Sequence, residues 1–211
     1  MKLLTALTEE EILEAIPENP KDIPNDYEFM QDLHNAGIFA IPTWSWLRPL
    51  ATKLKGKKCL EIMAGRGIVS LALKKLGVDV VTTDNMSWSE GKFKCGDKMK
   101  TSLLNNVSVE KLSAKDAVDK YDADVLICCW PPDSVAYNTD FLDACIQFMK
   151  KNPSGKIIYV GEGETGCCAS YEFFEHFDIE IIEECDNYPT LIGMYDHVYL
   201  AVPEDDKEKL S

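Results

Sequence analysis

The chain has 211 residues, of which 45% are hydrophobic, and this suits one globular domain that buries a sizeable core. No apolar run reaches the length of a membrane span, and residues 1–7 are too short and too weakly basic for a signal peptide, so a cytoplasmic protein is expected. The net charge of −14 repels phosphate backbones, which disfavours nucleic acid as a substrate or partner.

The eight cysteines predict neither disulfides nor a metal site. Two pairs are adjacent, Cys128-Cys129 and Cys167-Cys168, and no Cys-x-x-Cys occurs. Cys59 and the first pair lie in apolar runs, where a reduced thiol packs like a small hydrophobe. We therefore expect free cysteines in a reducing compartment and no bound metal.

The N-terminal part of the chain, residues 1–56, is expected to be helical. A capping box of Thr8 and Glu11 predicts the start of a short first helix, and a second helix follows. A third helix is expected to begin near Ser45, because this start places Pro49 in the first turn, where proline is tolerated. These helices predict a cap in front of the first strand.

From Lys58 onward, apolar strand-like runs alternate with helical patterns. Strands are expected at 58–62, 78–83, 107–110, 124–129, 156–160, 178–184 and 196–202, and helices at 67–76, 114–120, 139–150 and 170–176. The run 125–129 is continuously apolar, as in a sheet covered on both faces. The alternation predicts a doubly wound α/β domain with a mostly parallel sheet over residues 57–203, followed by a charged tail at 204–211.

The most informative segment ends the first strand and opens the next helix; it reads Glu61-Ile62-Met63-Ala64-Gly65-Arg66-Gly67. The second strand then ends at Asp84. An α/β domain that binds an adenosine-containing cofactor has its elements in this order: a strand, a small-residue turn, a helix, a second strand and an acid. A dinucleotide is the alternative, but its helix-opening glycine would fall at Ser70, and no Tyr-x-x-x-Lys occurs in the chain.

This segment resembles the first motif of the class I, seven-stranded S-adenosylmethionine-dependent methyltransferases. Their pattern is an acid, one residue, and three glycines at alternate positions; Met63 replaces the first glycine, and Gly65 and Gly67 match the others. The resemblance covers roughly residues 58–202. It implies a seven-stranded Rossmann-like sheet whose last strand is antiparallel, and S-adenosyl-L-methionine as the cofactor.

The resemblance also implies roles for individual acids. Glu61 would lie near the methionine amino group, Asp84 would accept hydrogen bonds from both ribose hydroxyls, and Asp116-Ala117 would place an acid opposite the adenine amino group. Taken singly, the glycines form a turn and each aspartate a helix cap or an N-terminal helix charge. The candidate cofactor-binding residues are Glu61, Met63, Ala64, Gly65, Gly67, Asp84, Asn85, Asp116, Ala117 and Cys129.

The fourth strand is followed by Trp130-Pro131-Pro132-Asp133, which resembles the (Asn/Asp/Ser)-Pro-Pro-(Tyr/Phe) motif of amino-group methyltransferases. Trp130 replaces the polar residue and Asp133 the aromatic one, which puts methylation of nucleic-acid bases in doubt. The alternative is that the two prolines only terminate the strand. The candidate catalytic residues are Trp130, Pro131, Pro132, Asp133 and Glu162.

Glu162 lies in the glycine-rich segment Gly161-Glu162-Gly163-Glu164-Thr165-Gly166 after the fifth strand. It would bind a cationic substrate or take its proton, or it is a solvated loop acid. The resulting hypothesis is a methyltransferase that acts on a protein side chain or a small molecule. The alternatives are a non-catalytic binding module that keeps the fold, and a subunit that needs a partner for activity.

Overall fold

The computed structural model describes residues 8–35, 37–87, 107–132, 135–190 and 193–204. The helices are Glu9–Ala15 (α1), Tyr27–Asn35 (α2), Trp44–Leu54 (α3), Ile68–Lys75 (α4), Ala114–Lys120 (α5), Val135–Lys151 (α6) and Tyr171–His176 (α7). The strands are Lys58–Ile62 (β1), Asp79–Asp84 (β2), Glu110–Lys111 (β3), Val125–Cys129 (β4), Lys156–Gly161 (β5), Phe177–Ile181 (β6) and His197–Pro203 (β7). The expected tail lies outside the described residues from position 205 onward.

The seven strands form one sheet in the order β3-β2-β1-β4-β5-β7-β6. The pairings from β3 to β5 are parallel, and β7 is antiparallel to both β5 and β6. This is the sheet that the methyltransferase resemblance implies, and the fold prediction is confirmed. The strand order reverses between β1 and β4, so the crevice where such sheets bind ligands lies beyond the carboxyl ends of these two strands.

Each face of the sheet has its own hydrophobic core. Alternate side chains of a strand point to opposite faces, so Ile127 of β4 joins the core beneath α1, α3 and α4, and Leu126 joins the core beneath α5, α6 and α7. Both side chains are fully buried. The continuous apolar run of β4 therefore has the cause expected from the sequence, which is burial on both sides.

The N-terminal helices share a core with the α/β domain. Trp46, Leu47 and Leu50 of α3 are fully buried in the same cluster as the side chains of α4. The first two N–H groups of α3 donate to the carbonyls of Pro17 and Glu18 at 2.9 and 3.0 Å. These contacts come from the preceding loop and explain where the helix begins.

The expected position of Pro49 in α3 is wrong. The helix begins at Trp44, so Pro49 lies inside it, beyond its first turn. A proline there removes one backbone hydrogen bond of the helix. The tight packing of α3 against the sheet supplies the compensating stability, because its apolar side chains are almost entirely removed from water.

Three other boundaries differ from the sequence-based prediction by more than one residue. Strand β3 has only two residues, Glu110–Lys111, instead of the expected 107–110, α6 begins at Val135 instead of 139, and β6 ends at Ile181 instead of 184. Val107 and Val109 approach the glycine turn after β1 rather than extending the ladder. Among the helices that the structure describes, none combines the length and the apolarity needed to cross a membrane.

Candidate functional site

The turn after β1 has a left-handed backbone at every second residue. The φ angles of Met63, Gly65 and Gly67 are 52°, 54° and 70°. Glycine adopts such angles without steric cost, whereas a methionine is strained by them. Met63 therefore adopts the backbone conformation of the glycine that it replaces in the motif.

Gly67 is needed for space as well as for its backbone angle. A Cβ atom at this position would lie 2.7 Å from Cγ2 of Val109 and 3.1 Å from Cγ1 of Val107. The two valines precede β3, so the turn and the start of that strand are packed directly against each other. Any side chain at Gly67 would push them apart.

Asp84 at the end of β2 fastens the turn. Its Oδ2 accepts a hydrogen bond from the backbone N–H of Gly65 at 2.8 Å, and its Oδ1 accepts one from Met86 at 2.6 Å. The side chain is buried, with 4% of its surface exposed. The adjacent Asn85 is half-buried, and its Oδ1 accepts a hydrogen bond from Ser87 N–H at 2.9 Å. The acid predicted to hold the ribose thus lies directly beside the glycine turn.

Glu61 faces the helix that follows the turn. Its buried carboxylate accepts hydrogen bonds from the backbone N–H of Ser70, at 3.2 Å, and from the Ser70 hydroxyl. Burial raises the pKa of Glu61 to about 7 despite these bonds, because the charged form has lost its water. Burial, together with the charge of Glu61, raises the pKa of the Cys129 thiol at the end of β4.

Asp116 lies in the helix that follows β3, and its carboxylate bonds within that helix. It lies in the first turn of α5, exposed to solvent, and its carboxylate accepts a hydrogen bond of 2.7 Å from the hydroxyl of the N-cap residue Ser113. Ala117 is fully buried in the core beneath α5. In this structure the two residues therefore stabilise α5. The residue that directly follows β3 is Leu112.

Trp130 follows β4 in a left-handed conformation, with a φ of 55°. Its backbone N–H donates to Val160 O at 2.7 Å, and the carbonyl of Pro131 accepts from Ala169 N–H at 2.9 Å. Pro132 forms an isolated bridge with Cys168. The Pro131 carbonyl is thus bonded to the loop after β5. Asp133 lies outside the described residues.

The Trp130 side chain joins three parts of the fold. Its Nε1–H donates to Oδ2 of Asp196 at 2.9 Å, just before β7. Its ring lies 5.5 Å from the ring of His34 and 6.4 Å from that of Phe39, measured between centroids. Burial lowers the pKa of His34, which favours the neutral imidazole. Helix α2 and the loop after it thereby contribute an aromatic wall beside the end of β4.

Glu162 holds together the chain segments after β5 and before β7. Its Oε2 accepts hydrogen bonds from Cys167 N–H at 2.8 Å and from the Cys167 thiol at 3.0 Å, and its Oε1 accepts one from Tyr195 N–H at 3.2 Å. Burial raises the pKa of Glu162, but the bonds from Cys167 and Tyr195 outweigh it, so the pKa lies below its ordinary value. An ionised carboxylate at this position orders two loops.

Asp196 is a site residue that the sequence motifs do not point to. It is 1% exposed, and burial, ahead of the charge of Glu162, raises its pKa to about 7 even though Trp130 donates to it. Oδ1 is buried and has no hydrogen-bond partner among the described residues. The only signal in the sequence is its place directly before the last strand.

The cysteine prediction holds wherever the structure describes a cysteine: all seven of these thiols are free. The side chains of Glu162, Cys167 and Cys168 bring potential ligand atoms within 4.8 Å of one another. No spacing motif in the sequence signals this donor set. In the structure, the Cys167 thiol donates to the Glu162 carboxylate.

No family model and no curated protein matches the chain, whereas solved structures do. The ribosomal protein L11 methylase of Lactobacillus delbrueckii subsp. bulgaricus is 18% identical, covering 74% of this chain and 76% of its own, with a TM-score of 0.43. TehB of Haemophilus influenzae is 15% identical, with coverages of 81% and 67% and a TM-score of 0.46.

A third similar structure is the 1,6-didemethyltoxoflavin-N1-methyltransferase of Burkholderia thailandensis with bound 1,6-didemethyltoxoflavin and S-adenosylhomocysteine. It is 15% identical, with coverages of 75% and 78% and a TM-score of 0.42. At such low identities and scores, these likenesses assign no activity to this chain.

Proposed function

We propose that the chain is an S-adenosylmethionine-dependent methyltransferase that acts on a protein side chain or a small molecule. One observation carries the proposal: the glycine turn after β1 is hydrogen-bonded to the acid that ends β2, through Gly65 N–H and Asp84 Oδ2. This contact lies at the carboxyl edge of the sheet, beside the point where the strand order reverses.

The residues at this edge fit an adenosine-containing sulfonium cofactor. Gly65 and Gly67 present backbone without side chains, and the neighbouring carboxylate of Asp84 suits the hydroxyls of a ribose. Glu61, with Ser70, would lie toward the methionine end of the cofactor. Asp116 is left out of this proposed site, because its exposed carboxylate is bonded to its own helix cap.

S-adenosylmethionine supplies a methyl group that is already activated on a sulfonium sulfur. The protein then mainly aligns the acceptor and excludes water. Trp130 and Pro131 would face the acceptor, since they follow β4 at the same edge. Glu162 would act as a positioning residue, because its carboxylate orders the segments on either side through Cys167 and Tyr195.

Calorimetry with S-adenosylhomocysteine tests the cofactor site. Asp84→Asn keeps an oxygen that can accept from Gly65 but replaces the second oxygen, which accepts from Met86 N–H, with a donor. Affinity should fall about tenfold or more, as expected for losing hydrogen bonds to a charged group. Asp79→Asn is the matched control, because Asp79 is the exposed residue at the opposite end of the same strand. Absence of binding to the folded wild-type protein would refute the proposal.

Radiolabelled methyl transfer to a cell lysate tests the activity itself. Label in a protein or a metabolite that Asp84→Asn abolishes would support the enzyme. Tight binding of S-adenosylhomocysteine without any transfer would favour a binding module. Transfer that starts only after a second protein is added would favour a partner-dependent subunit.

A further inference from the structure

We propose that Asp196 binds the reacting nitrogen of the methyl acceptor through Oδ1, and that the acceptor is an amine. The inference rests on the proposed methyl transfer. It starts from one unusual atom, because Oδ1 of this nearly inaccessible aspartate has no hydrogen-bond partner within the described part of the chain. A buried carboxylate oxygen without a donor is costly, and a ligand N–H would remove that cost.

Asp196 lies at the same edge as the proposed cofactor site. Strand β7 runs antiparallel to β5, and Gly161 pairs with His197, so Asp196 stands beside Glu162 where β5 ends. Trp130 at the end of β4 connects to both strands, through its N–H to Val160 O and its Nε1–H to Asp196 Oδ2. Oδ2 is thereby held by the protein, and Oδ1 is the atom left for a ligand.

Glu162 is the other buried acid at this place, but its oxygens are already in use. One accepts from the Cys167 N–H and thiol, and the other accepts from Tyr195 N–H. Its bonds keep two loops in place. Of the two acids, Asp196 is therefore the one whose geometry suits a transient ligand.

The surroundings of Asp196 favour a positively charged donor. The titratable groups recorded around it are the carboxyl of Glu162, the thiol of Cys168 and three phenols, those of Tyr159, Tyr188 and Tyr199. None of these is a cation. A ligand ammonium or amine N–H would therefore be the group that balances two neighbouring acids.

The aromatic wall fits the same class of ligand. The rings of His34, Phe39 and Trp130 lie within 6.4 Å of one another, measured between centroids. Aromatic faces attract cations, and His34 does not oppose this, because burial lowers its pKa and favours the neutral ring. A hydroxyl acceptor could donate to the same oxygen, but it would lack the positive charge that the rings and the two acids attract, and a carbon acceptor would offer neither the charge nor a strong donor.

The reaction releases a proton, and Asp196 is placed to accept it. An acceptor that binds as an ammonium ion first loses one proton to solvent. The lone pair of the resulting neutral amine attacks the methyl carbon, a carbon–nitrogen bond forms, and the electrons of the carbon–sulfur bond pass to the sulfur. The methylated nitrogen is then a cation that still carries the amine proton. Transfer of this proton to Asp196 Oδ1 leaves a neutral methylated amine and a neutral carboxyl group.

Calorimetry with two matched probes tests the inference while S-adenosylhomocysteine is present. Benzylammonium carries both an N–H cation and a ring that can stack on Trp130, whereas benzyl alcohol keeps the ring and lacks the cation. We expect the wild-type protein to bind benzylammonium about tenfold or more tightly than benzyl alcohol, as a charge-assisted hydrogen bond predicts. Asp196→Asn should remove this difference.

Asp143→Asn is the control for the loss of one negative charge, since Asp143 is exposed on α6 and pairs with Lys115. It should bind benzylammonium like the wild type. The asparagine at 196 can still accept from Trp130 Nε1, and circular dichroism checks the fold; Asp196→Ser replaces it if the asparagine variant does not fold.

Equal affinity for the two probes, no binding of benzylammonium, or full affinity in the folded Asp196 variant would each overturn the inference. Failure of the proposed function is read separately, as failure of S-adenosylhomocysteine to bind in the same samples.

Discussion

Four buried carboxylates surround the carboxyl edge of the sheet, and hydrogen bonding divides their roles. Asp84 and Glu162 accept from backbone N–H groups of neighbouring loops, and Glu61 accepts from Ser70. Asp196 accepts from Trp130 on one oxygen only, among the described residues. Side chains of the same chemistry thus stabilise the turn, the helix and the loops, and Asp196 is the one of the four with an oxygen that accepts no hydrogen bond within the described residues.

Stability should depend on pH through the carboxyl of Asp196. Its pKa of about 7 in the folded protein lies above the ordinary value of 3.8, so the folded state holds a proton that the unfolded chain releases. The free energy of unfolding therefore falls as the pH rises from about 4 to about 7 and levels off above that. In Asp196→Asn this decline should be shallower by up to about 1.4 kcal/mol per pH unit.

Urea unfolding at pH 5, 6, 7 and 8 measures this difference. Asp143→Asn, which alters an exposed carboxylate on α6, should keep the wild-type slope. Glu61 also makes the free energy of unfolding fall as the pH rises, since its pKa is raised to about 7 as well. Because both proteins contain Glu61, it does not cause the difference between their slopes. Identical pH slopes for wild type and Asp196→Asn would show that Asp196 is ionised in the folded protein throughout this range.

At the scale of elements, a buried hydrogen bond connects the N-terminal segment to the segment that precedes β7. The hydroxyl of Tyr188, before β7, accepts from the backbone N–H of Ile41 at 2.9 Å, and the Ile41 carbonyl accepts from Trp46 Nε1 at 3.1 Å. The rings of Trp46 and Tyr188 are 5.3 Å apart between centroids. These contacts connect the loop before α3 to the segment that leads to Asp196.

Tyr188→Phe should lower the free energy of unfolding by about 1–3 kcal/mol, because it leaves the buried N–H of Ile41 without its acceptor while the ring packing is kept. Urea denaturation measures the change. Tyr171→Phe is the control, since Tyr171 is 61% exposed at the start of α7 and should change stability by less than about 0.5 kcal/mol. An equal effect of the two changes would mean that the Tyr188 bond contributes nothing.

For the whole molecule, the expected division at residue 56 separates segments that share one core. Trp46, Leu47 and Leu50 are fully buried together with side chains of α4 and the sheet. Removing residues 1–56 would expose to water the part of this face, and the side of α4, that these helices cover. The protein 57–211 should therefore lack a cooperative unfolding transition, because each large apolar side chain of that face loses roughly 1.5–3 kcal/mol of burial.

Circular dichroism melting of the full chain and of the protein 57–211 tests this expectation. The protein 8–211 is the control, since it keeps all three N-terminal helices and should melt like the full chain. A cooperative transition of the shorter protein near the temperature of the full chain would show that residues 57–211 are stable without the helical segment.

The sequence by itself determined the features that depend on neighbours along the chain. Apolar runs of strand length, helical periodicity and the Thr8–Glu11 capping box predict the elements, and Gly65, Gly67 and Asp84 mark the turn and the acid at the carboxyl edge. Even Met63 has the left-handed backbone of the glycine it replaces. These patterns reflect local sterics and hydrogen bonds, which act within a few residues.

Only the tertiary structure decided which distant groups meet. Asp196 pairs with Trp130 across 66 positions of the chain, and the start of α3 is set by carbonyls of an earlier loop. Such partners follow from the strand order and from burial, which no short window of sequence contains. For this reason the proposed cofactor side of the site is visible in the motifs, whereas Asp196, proposed here to bind the acceptor, becomes visible only in the fold.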